Sequence, residues 1–402
     1  MKKKKIKKAN SFFFWLLRCV LKPVLYFKNG YRFEMKSSRG IKRPCLILSN
    51  HQTKFDQFAI GAGFRFGVNF VGSESLFRHG FGSWLMKVLA RPIPISKGTA
   101  DVTAVKDIIS VIKDGGAVAL FPSGNRSFFG EESYISPTIG KLAKKLKVPV
   151  VLVSIRGGYN TKPRWMPKTN KGKMRARVAR IIKPEELAAL SDAEVYDIIN
   201  KELYFDEFEW NREKQMCFRG KRKAEHLESA LFYCPQCKGL CALRSEGNEF
   251  FCKRCGARVK FNATGFFEKV NNAEAIPETV LDWSREQIEY IKAIDYSQYT
   301  DTPVFSDPEV RFSRVVRAKR NEPIGQGEFA LYADRLSVCG TDIPITNIKE
   351  IALQGMLRMA LYTTGETYCI DIPERGNLCK YMICGYHLLN TAKGETDEYY
   401  GY

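Results

Sequence analysis

Arg43-Pro-Cys-Leu-Ile-Leu-Ser-Asn-His-Gln-Thr-Lys-Phe-Asp56 is the stretch on which the reading of this chain turns. Its apolar run, Cys45 to Leu48, reads with Ser49 as a short buried strand, the kind a parallel sheet covered by helices requires. The run ends in a polar corner and then opens a helix toward Phe58, Ile60 and Phe64. His51 and Asp56 flank that corner. A loop entering a helix can bring the carboxylate under the imidazole, fixing its tautomer and supporting the cation formed when His51 takes a proton. No Ser or Cys is spaced to serve as nucleophile, so the pair suits a base acting directly on a substrate hydroxyl.

Outward from this corner the periodicity alternates. Apolar strands are expected at 45–49, 68–71, 92–95, 117–121 and 148–155, separated by helical stretches at 55–64, 81–90, 101–113 and 137–146. That is α/β with a layered sheet. Helical patterns continue over 183–215, with Pro184 at an N-terminal position and Glu185 and Glu186 in the first turn. Within this frame Phe121-Pro-Ser-Gly-Asn-Arg-Ser127 closes a strand. Gly124 allows close backbone approach to a ligand, and Arg126 offers a planar fork to a phosphate.

Four motifs in this order resemble the glycerol-phosphate and lysophosphatidate acyltransferase family. Asn50-His51 with Asp56 is similar to its first motif, and Arg91-Pro-Ile-Pro-Ile-Ser-Lys-Gly98 to its second, with Lys97 in place of an arginine. Phe121 to Ser127 is similar to the third, and Val148-Pro-Val-Val-Leu-Val153 to the fourth. The resemblance implies transfer of a fatty acyl group from a coenzyme A or acyl-carrier thioester to a hydroxyl of a lysophospholipid-like acceptor, lysophosphatidate first among them. It makes His51 and Asp56 catalytic and assigns the acceptor phosphate to Lys97, Ser123, Gly124, Asn125 and Arg126. Ser123 stands where the family has an acidic residue and Asn125 where it has threonine, which bears on the acceptor more than on the chemistry.

The charge is uneven. Of the 402 residues, 64 are Lys or Arg and 43 Asp or Glu; residues 1–230 hold 44 of the basic and 20 of the acidic ones, so the excess of +21 belongs to the first half. Such a field attracts nucleic acid or an anionic membrane. Met1 to Lys8 is a lysine cluster followed by Ser11-Phe-Phe-Phe-Trp-Leu-Leu17, with Arg18, Lys22 and Lys28 interleaved. The apolar run is too short to span a bilayer and has no signal-peptidase site, whereas aromatic rings and snorkelling lysines suit an interface. The expectation is a peripheral or monotopic protein on the cytoplasmic face of the cell membrane, with the anionic surface, acyl donor and lysophospholipid acceptor as partners.

Cys234-Pro-Gln-Cys237 and Cys252-Lys-Arg-Cys255 give two C-x-x-C knuckles spaced for one tetrahedral ion. Four thiolate ligands leave no open position, so the expected zinc is structural. The eight other cysteines lack pairing logic, which points to a reducing compartment rather than disulfides. From Val310 onward short strands are expected at 328–332, 335–338, 342–345, 348–353, 358–362 and 367–371, then a helix over 376–390; this pattern, over about 305–392, resembles a pleckstrin-homology or GRAM module. The expected organisation is a basic, aromatic N-terminus (1–30), an acyltransferase domain (31–215), a zinc ribbon (216–270), a helical linker (271–304), the PH-like module (305–392) and a tail (393–402). Arg219-Gly-Lys-Arg-Lys223 reads as a solvated linker. The rival function is a non-enzymatic basic lipid- or nucleic-acid-binding protein. Against nucleic acid, the cations surround the aromatic N-terminus and the motifs instead of the ribbon, where Cys241 to Phe251 holds only Arg244.

Overall fold

A computed structural model describes residues 6–34, 36–73, 91–95, 102–316, 320–395 and 399–402. The expected helix over 81–90, Lys97 and the first lysines lie outside the described residues. The chain divides into two compact units, Met1–Pro163 with Asn170–Phe218, and Arg164–Thr169 with Arg219–Tyr402.

The first unit is a layered α/β fold. Its elements are α1 (Ser11–Asn29), β1 (Arg32–Phe33), β2 (Cys45–Ser49), α2 (Asp56–Gly63), β3 (Val68–Ser73), β4 (Ile93–Ile95), α3 (Val102–Lys113), β5 (Ala117–Leu120), α4 (Thr138–Leu146), β6 (Val150–Arg156), α5 (Gly158–Thr161), β7 (Arg175–Ile182), α6 (Pro184–Ala189), α7 (Asp192–Leu203) and α8 (Glu207–Lys214). The seven strands follow the order β1-β7-β6-β2-β5-β3-β4. All neighbours are parallel except β6 and β7. Every residue of β2 is buried. Cys45 and Ile47 join one core cluster with α1 and α2, while Leu46 and Leu48 join another with α3, α4 and α7. Period-2 alternation therefore sends adjacent β2 residues into opposite cores, which is why Cys45 to Leu48 are all apolar.

Strand β7 was not anticipated. Its sequence, Arg-Ala-Arg-Val-Ala-Arg-Ile-Ile, alternates as an antiparallel strand with one wet face should, but its three arginines mask the pattern. The interval 183–215 holds three separate helices, of which α7 opens on a capping box between Ser191 and Glu194.

Helix α1 is capped by the Asn10 side chain, which accepts from the Phe12 and Phe13 N–H groups, and is closed by Gly30 in the left-handed region. It is neither wholly buried nor wholly exposed. Phe14 and Leu25 enter the core, whereas Phe12 (71% exposed), Trp15, Leu16, Val20, Val24 and Phe27 (81%) face outward. No helix among the described residues is long and apolar enough to cross a membrane.

The second unit begins with β8 (Leu243–Glu246), β9 (Glu249–Cys252), β10 (Arg258–Phe261) and β11 (Phe267–Asn271), an antiparallel sheet, followed by α9 (Val280–Lys292). Then come β12 (Phe305–Val316), β13 (Arg320–Leu331), β14 (Arg335–Val338), β15 (Thr341–Pro344), β16 (Ile348–Leu353), β17 (Arg358–Thr363), β18 (Thr367–Asp371) and α10 (Cys379–Lys393). These strands form a seven-stranded antiparallel sheet ordered β15-β14-β13-β12-β18-β17-β16. Two expectations need correction. Helix α9 is not a free spacer, because Trp283 packs on Phe250 and Phe267 and donates to the Tyr233 carbonyl at 2.7 Å. The run 219–223 is not wholly solvated either: Lys223 is 5% exposed and Arg222 pairs with buried Glu225 at 2.6 Å.

Helices α4 and α7 meet at Gly140, where an added Cβ would lie 2.2 Å from the Asp192 carbonyl oxygen. Gly140→Ala should therefore destabilise by about 1–3 kcal/mol despite alanine's better helix propensity, because backbone must move. Urea unfolding checks this, and an unchanged or raised stability would contradict the close packing.

Candidate active site

The site grows from the end of β2. The Asn50 side chain pairs with the β6 backbone, donating to the Ile155 carbonyl at 2.8 Å and accepting from the Ile155 N–H at 2.7 Å. This clamps the corner just before His51. Asp56, fully buried at the first position of α2, then accepts four hydrogen bonds: His51 Nδ1 at 2.8 Å, the Gln52 and Thr53 N–H groups at 2.6 and 2.8 Å, and Thr53 Oγ1 at 2.7 Å. A carboxylate oxygen only accepts, so the hydrogen in the 2.8 Å contact belongs to the imidazole. The proton of the imidazole is then on Nδ1, and Nε2 becomes the basic nitrogen.

The other face of His51 is set by the third motif. The Phe121 ring stacks on the imidazole at 4.0 Å and 15°. The Ser127 N–H donates to the His51 carbonyl at 2.8 Å, which ties the loop 121–127 to the corner. That loop turns at Gly124, whose φ of +67° and open surroundings suit glycine. Ser123 Oγ donates to the Asn125 carbonyl at 3.2 Å. Arg126 is partly buried; burial lowers its pKa while the nearby Asp56 charge opposes that shift. The structure thus brings His51, Asp56, Ser123, Gly124, Asn125 and Arg126 to one end of β2 and β5. Lys97 lies outside the described residues.

Two carboxyl groups complete the site, and neither was visible in the motifs. Burial raises the Glu132 carboxyl well above the usual range; the Ser123 hydroxyl, the His51 backbone N–H and Arg156 oppose that shift. Neither Glu132 oxygen reaches hydrogen-bond geometry with a partner among the described residues, and Arg156 Nη1 is likewise unmatched. Glu207, at the start of α8, sits behind Gln52. Its Oε2 accepts from the Gly157 N–H at 3.0 Å and from Gln52 Nε2 at 3.3 Å, while Gln52 Oε1 accepts from the Gly158 N–H at 2.7 Å. Despite those donors, burial pushes the Glu207 carboxyl up to about 7. No local signal marks these residues, because Glu207 reaches Gln52 across 155 positions.

In the second unit the four cysteines of the two knuckles converge, with all Sγ atoms within 4.8 Å of one another. Cys234 lies 3.9 Å from Cys255 and Cys237 3.8 Å from Cys252, sulfur to sulfur. Four sulfurs about 2.3 Å from a tetrahedral centre would be spaced by nearly the same distance, so the residues fit a zinc-sized ion.

Residues 30–156 match the family model described as acyltransferase. Similar proteins include the 1-acyl-sn-glycerol-3-phosphate acyltransferases of Bacillus subtilis, 25% identical over 43% of this chain and 88% of that protein, and of Pseudomonas aeruginosa, 29% identical over 38% and 58%. The corresponding Saccharomyces cerevisiae enzyme is 27% identical over 40% of this chain and 53% of its own length. Among solved structures, the lysophosphatidate acyltransferase of Thermotoga maritima aligns with a TM-score of 0.40 at 21% identity, covering 47% of this chain and 78% of that one.

Because the Glu207 carboxyl is held near 7 in the folded protein against about 4.5 in a free chain, its contribution to stability is full below pH 4.5 and is lost as pH rises through 7. Urea unfolding between pH 5 and 8 should therefore show a decline in stability, and Glu207→Gln should remove up to about 3 kcal/mol of that decline. Identical pH dependence in the two proteins would mean that Glu207 is not held protonated.

Proposed function

We propose that the first unit is an O-acyltransferase that moves a fatty acyl group from a thioester to lysophosphatidate in phospholipid biosynthesis. The observation that carries this is the His51–Asp56 pair, assembled at a strand end inside the region that matches the acyltransferase family. His51 Nε2 takes the proton of the acceptor hydroxyl as its oxygen attacks the thioester carbonyl. Asp56 supports the resulting imidazolium, and collapse of the tetrahedral adduct expels the thiolate, which recovers the proton from His51. Holding thioester and hydroxyl together supplies much of the remaining rate. Arg126 and Lys97 receive the acceptor phosphate, with Ser123, Gly124 and Asn125 shaping the loop that presents it. Coenzyme A or an acyl carrier delivers the acyl group.

The remaining parts serve this reaction. The outward face of α1, with its preceding lysines, supports an anionic membrane surface as the place of work, since apolar rings can bury in the headgroup layer while cations pair with lipid phosphates. The protein is thereby a peripheral or monotopic one on the cytoplasmic face. Cys234, Cys237, Cys252 and Cys255 hold a structural zinc in a ribbon, and the seven-stranded sheet ended by α10 is a PH-like module with a regulatory or protein-contact role. The proposed organisation places the catalytic domain at 31–215, the ribbon at 216–270 and the PH-like module at 305–392.

His51→Ala should abolish nearly all thiol release from acyl-coenzyme A in the presence of lysophosphatidate. Asp56→Asn should lose about a thousandfold or more while remaining folded, because the amide oxygen can keep the three N–H donors and its NH2 can meet Thr53 Oγ1. Wild-type turnover by His51→Ala would end this reading. Deletion of residues 1–27 should abolish co-sedimentation with anionic vesicles, and high salt should only weaken binding of the full chain, since screening spares the apolar face. Truncated protein pelleting as well as the full chain would place the membrane surface elsewhere.

A further inference from the structure

Arginines meet side by side at the edge of the first sheet. Arg32 of β1 is in register with Arg175 of β7, and Arg175 is opposite Arg156 at the end of β6. Residues directly opposite one another share a face, and Arg177 follows on it two positions along. Phe33, Ile155, Ala176 and Val178 enter the core cluster shared with α1 and α2, so the four arginines stand on the other face. Like charges opposed across a strand pair are destabilising unless something answers them. Arg156 is answered from inside: its Nη2 donates to the Tyr204 carbonyl at 2.9 Å, and the charges of Glu207 and Glu132 act on it. The outer three are not. Arg32 donates to the Tyr26 hydroxyl at 3.0 Å, with its guanidinium 5.2 Å from that ring, and Arg175 donates to the Gly30 and Met174 carbonyls, both at 3.1 Å. Arg177 is exposed. Among the described residues no carboxylate lies within ion-pair distance of any of the three, that of Glu34 just beyond β1 included. Burial and then the Arg32 charge lower the pKa of Arg175.

The row ends beside the reactive corner. Ile155, the neighbour of Arg156, exchanges two hydrogen bonds with Asn50, which precedes His51. In the sheet β7 lies two strands from β2 and β1 lies three. At about 4.8 Å per strand that is roughly 10–15 Å. We propose that Arg32, Arg175 and Arg177 hold the phosphates of coenzyme A, so that the donor is a coenzyme A thioester whose pantetheine arm runs past Arg156 to His51. The choice of ligand rests on the acyl-transfer reading; the row itself rests on strand register. A pantetheine arm is about as long as four extended residues, roughly 14 Å, which matches the distance from the row to the corner. Coenzyme A carries a diphosphate and a ribose phosphate, and a guanidinium fork suits each. Tyr26, against Arg32 at the outer end, offers a ring on which the adenine can stack. None of the three arginines lies in the four motifs, so none carries a motif signal.

Isothermal titration of the full chain with free coenzyme A reads the row directly, without turnover. Arg32→Gln and Arg177→Gln should each weaken binding about tenfold, and Arg177→Glu should weaken it further. In turnover, the KM of acyl-coenzyme A should rise by the same factor while the KM of lysophosphatidate stays unchanged. Acyl-pantetheine, which lacks the nucleotide, should be used equally by wild type and variants, an equality that mere damage to the fold would break. Unchanged coenzyme A affinity in both Arg32→Gln and Arg177→Glu overturns the proposal. An equal loss with acyl-pantetheine also overturns it, since the arginines would then be structural. So does a loss confined to an acyl carrier protein as donor, which would make the row a dock for an acidic protein. Loss of vesicle binding at unchanged coenzyme A affinity would make it a lipid contact and overturn the proposal as well. Coenzyme A binding that depends on the arginines, in a protein that transfers no acyl group, keeps the row and rejects the acyl-transfer reading. Acyl transfer from acyl-coenzyme A that is indifferent to the arginines keeps that reading and rejects the row.

Discussion

The arrangement depends on one buried carboxylate. Asp56 has no solvent exposure and collects donors from three consecutive residues, His51, Gln52 and Thr53, so a single group fixes both the path of the corner and the tautomer of the imidazole. The cost of burying a charge is met locally by hydrogen bonds instead of by a distant ion pair. Because Asp56 is also the first residue of α2, its negative charge sits where the helix dipole favours it. Around this anchor, Phe121 confines the imidazole from one side and the Gln52–Glu207 network braces the corner from behind.

What could be read from the sequence was local. The four apolar residues that open β2, Cys45 to Leu48, announce a strand covered on both faces, and the interval from His51 to Asp56 is short enough to close within one turn. The loop 121–127 was legible for a similar reason, since Gly124 and Arg126 have meaning in their own neighbourhood. Glu132 and Glu207 were not legible, because each acquires its role only when β-strands far apart in sequence align. Strand β7 was hidden by arginines on its wet face. In the second unit the knuckles were plain from spacing alone, but the burial of Trp283 against Phe250 and Phe267 was not, and α9 consequently read as a spacer.

The departures from the family-like motif acquire a physical setting. Ser123 is a small hydroxyl beside the buried Glu132, so an acidic side chain at 123 would set two carboxyl groups against each other in a dry environment. The serine and the glutamate are thus compatible neighbours. The loop keeps its turn and its arginine, and the Ser123 hydroxyl is spent on the Asn125 carbonyl.

The proposed chemistry requires Asp56 to hold His51 with its proton on Nδ1, leaving Nε2 to act on substrate. Nitrogen-15 spectra of histidine-labelled protein report that tautomer directly. With four histidines in the chain, the His51 signals can be assigned by comparison with His51→Gln. The neutral imidazole of His51 should show a protonated Nδ1 and an unprotonated Nε2, with the Nδ1 proton shifted downfield by the carboxylate and moving upfield in Asp56→Asn. A neutral His51 carrying its proton on Nε2, or an Nδ1 proton indifferent to Asp56→Asn, would contradict it.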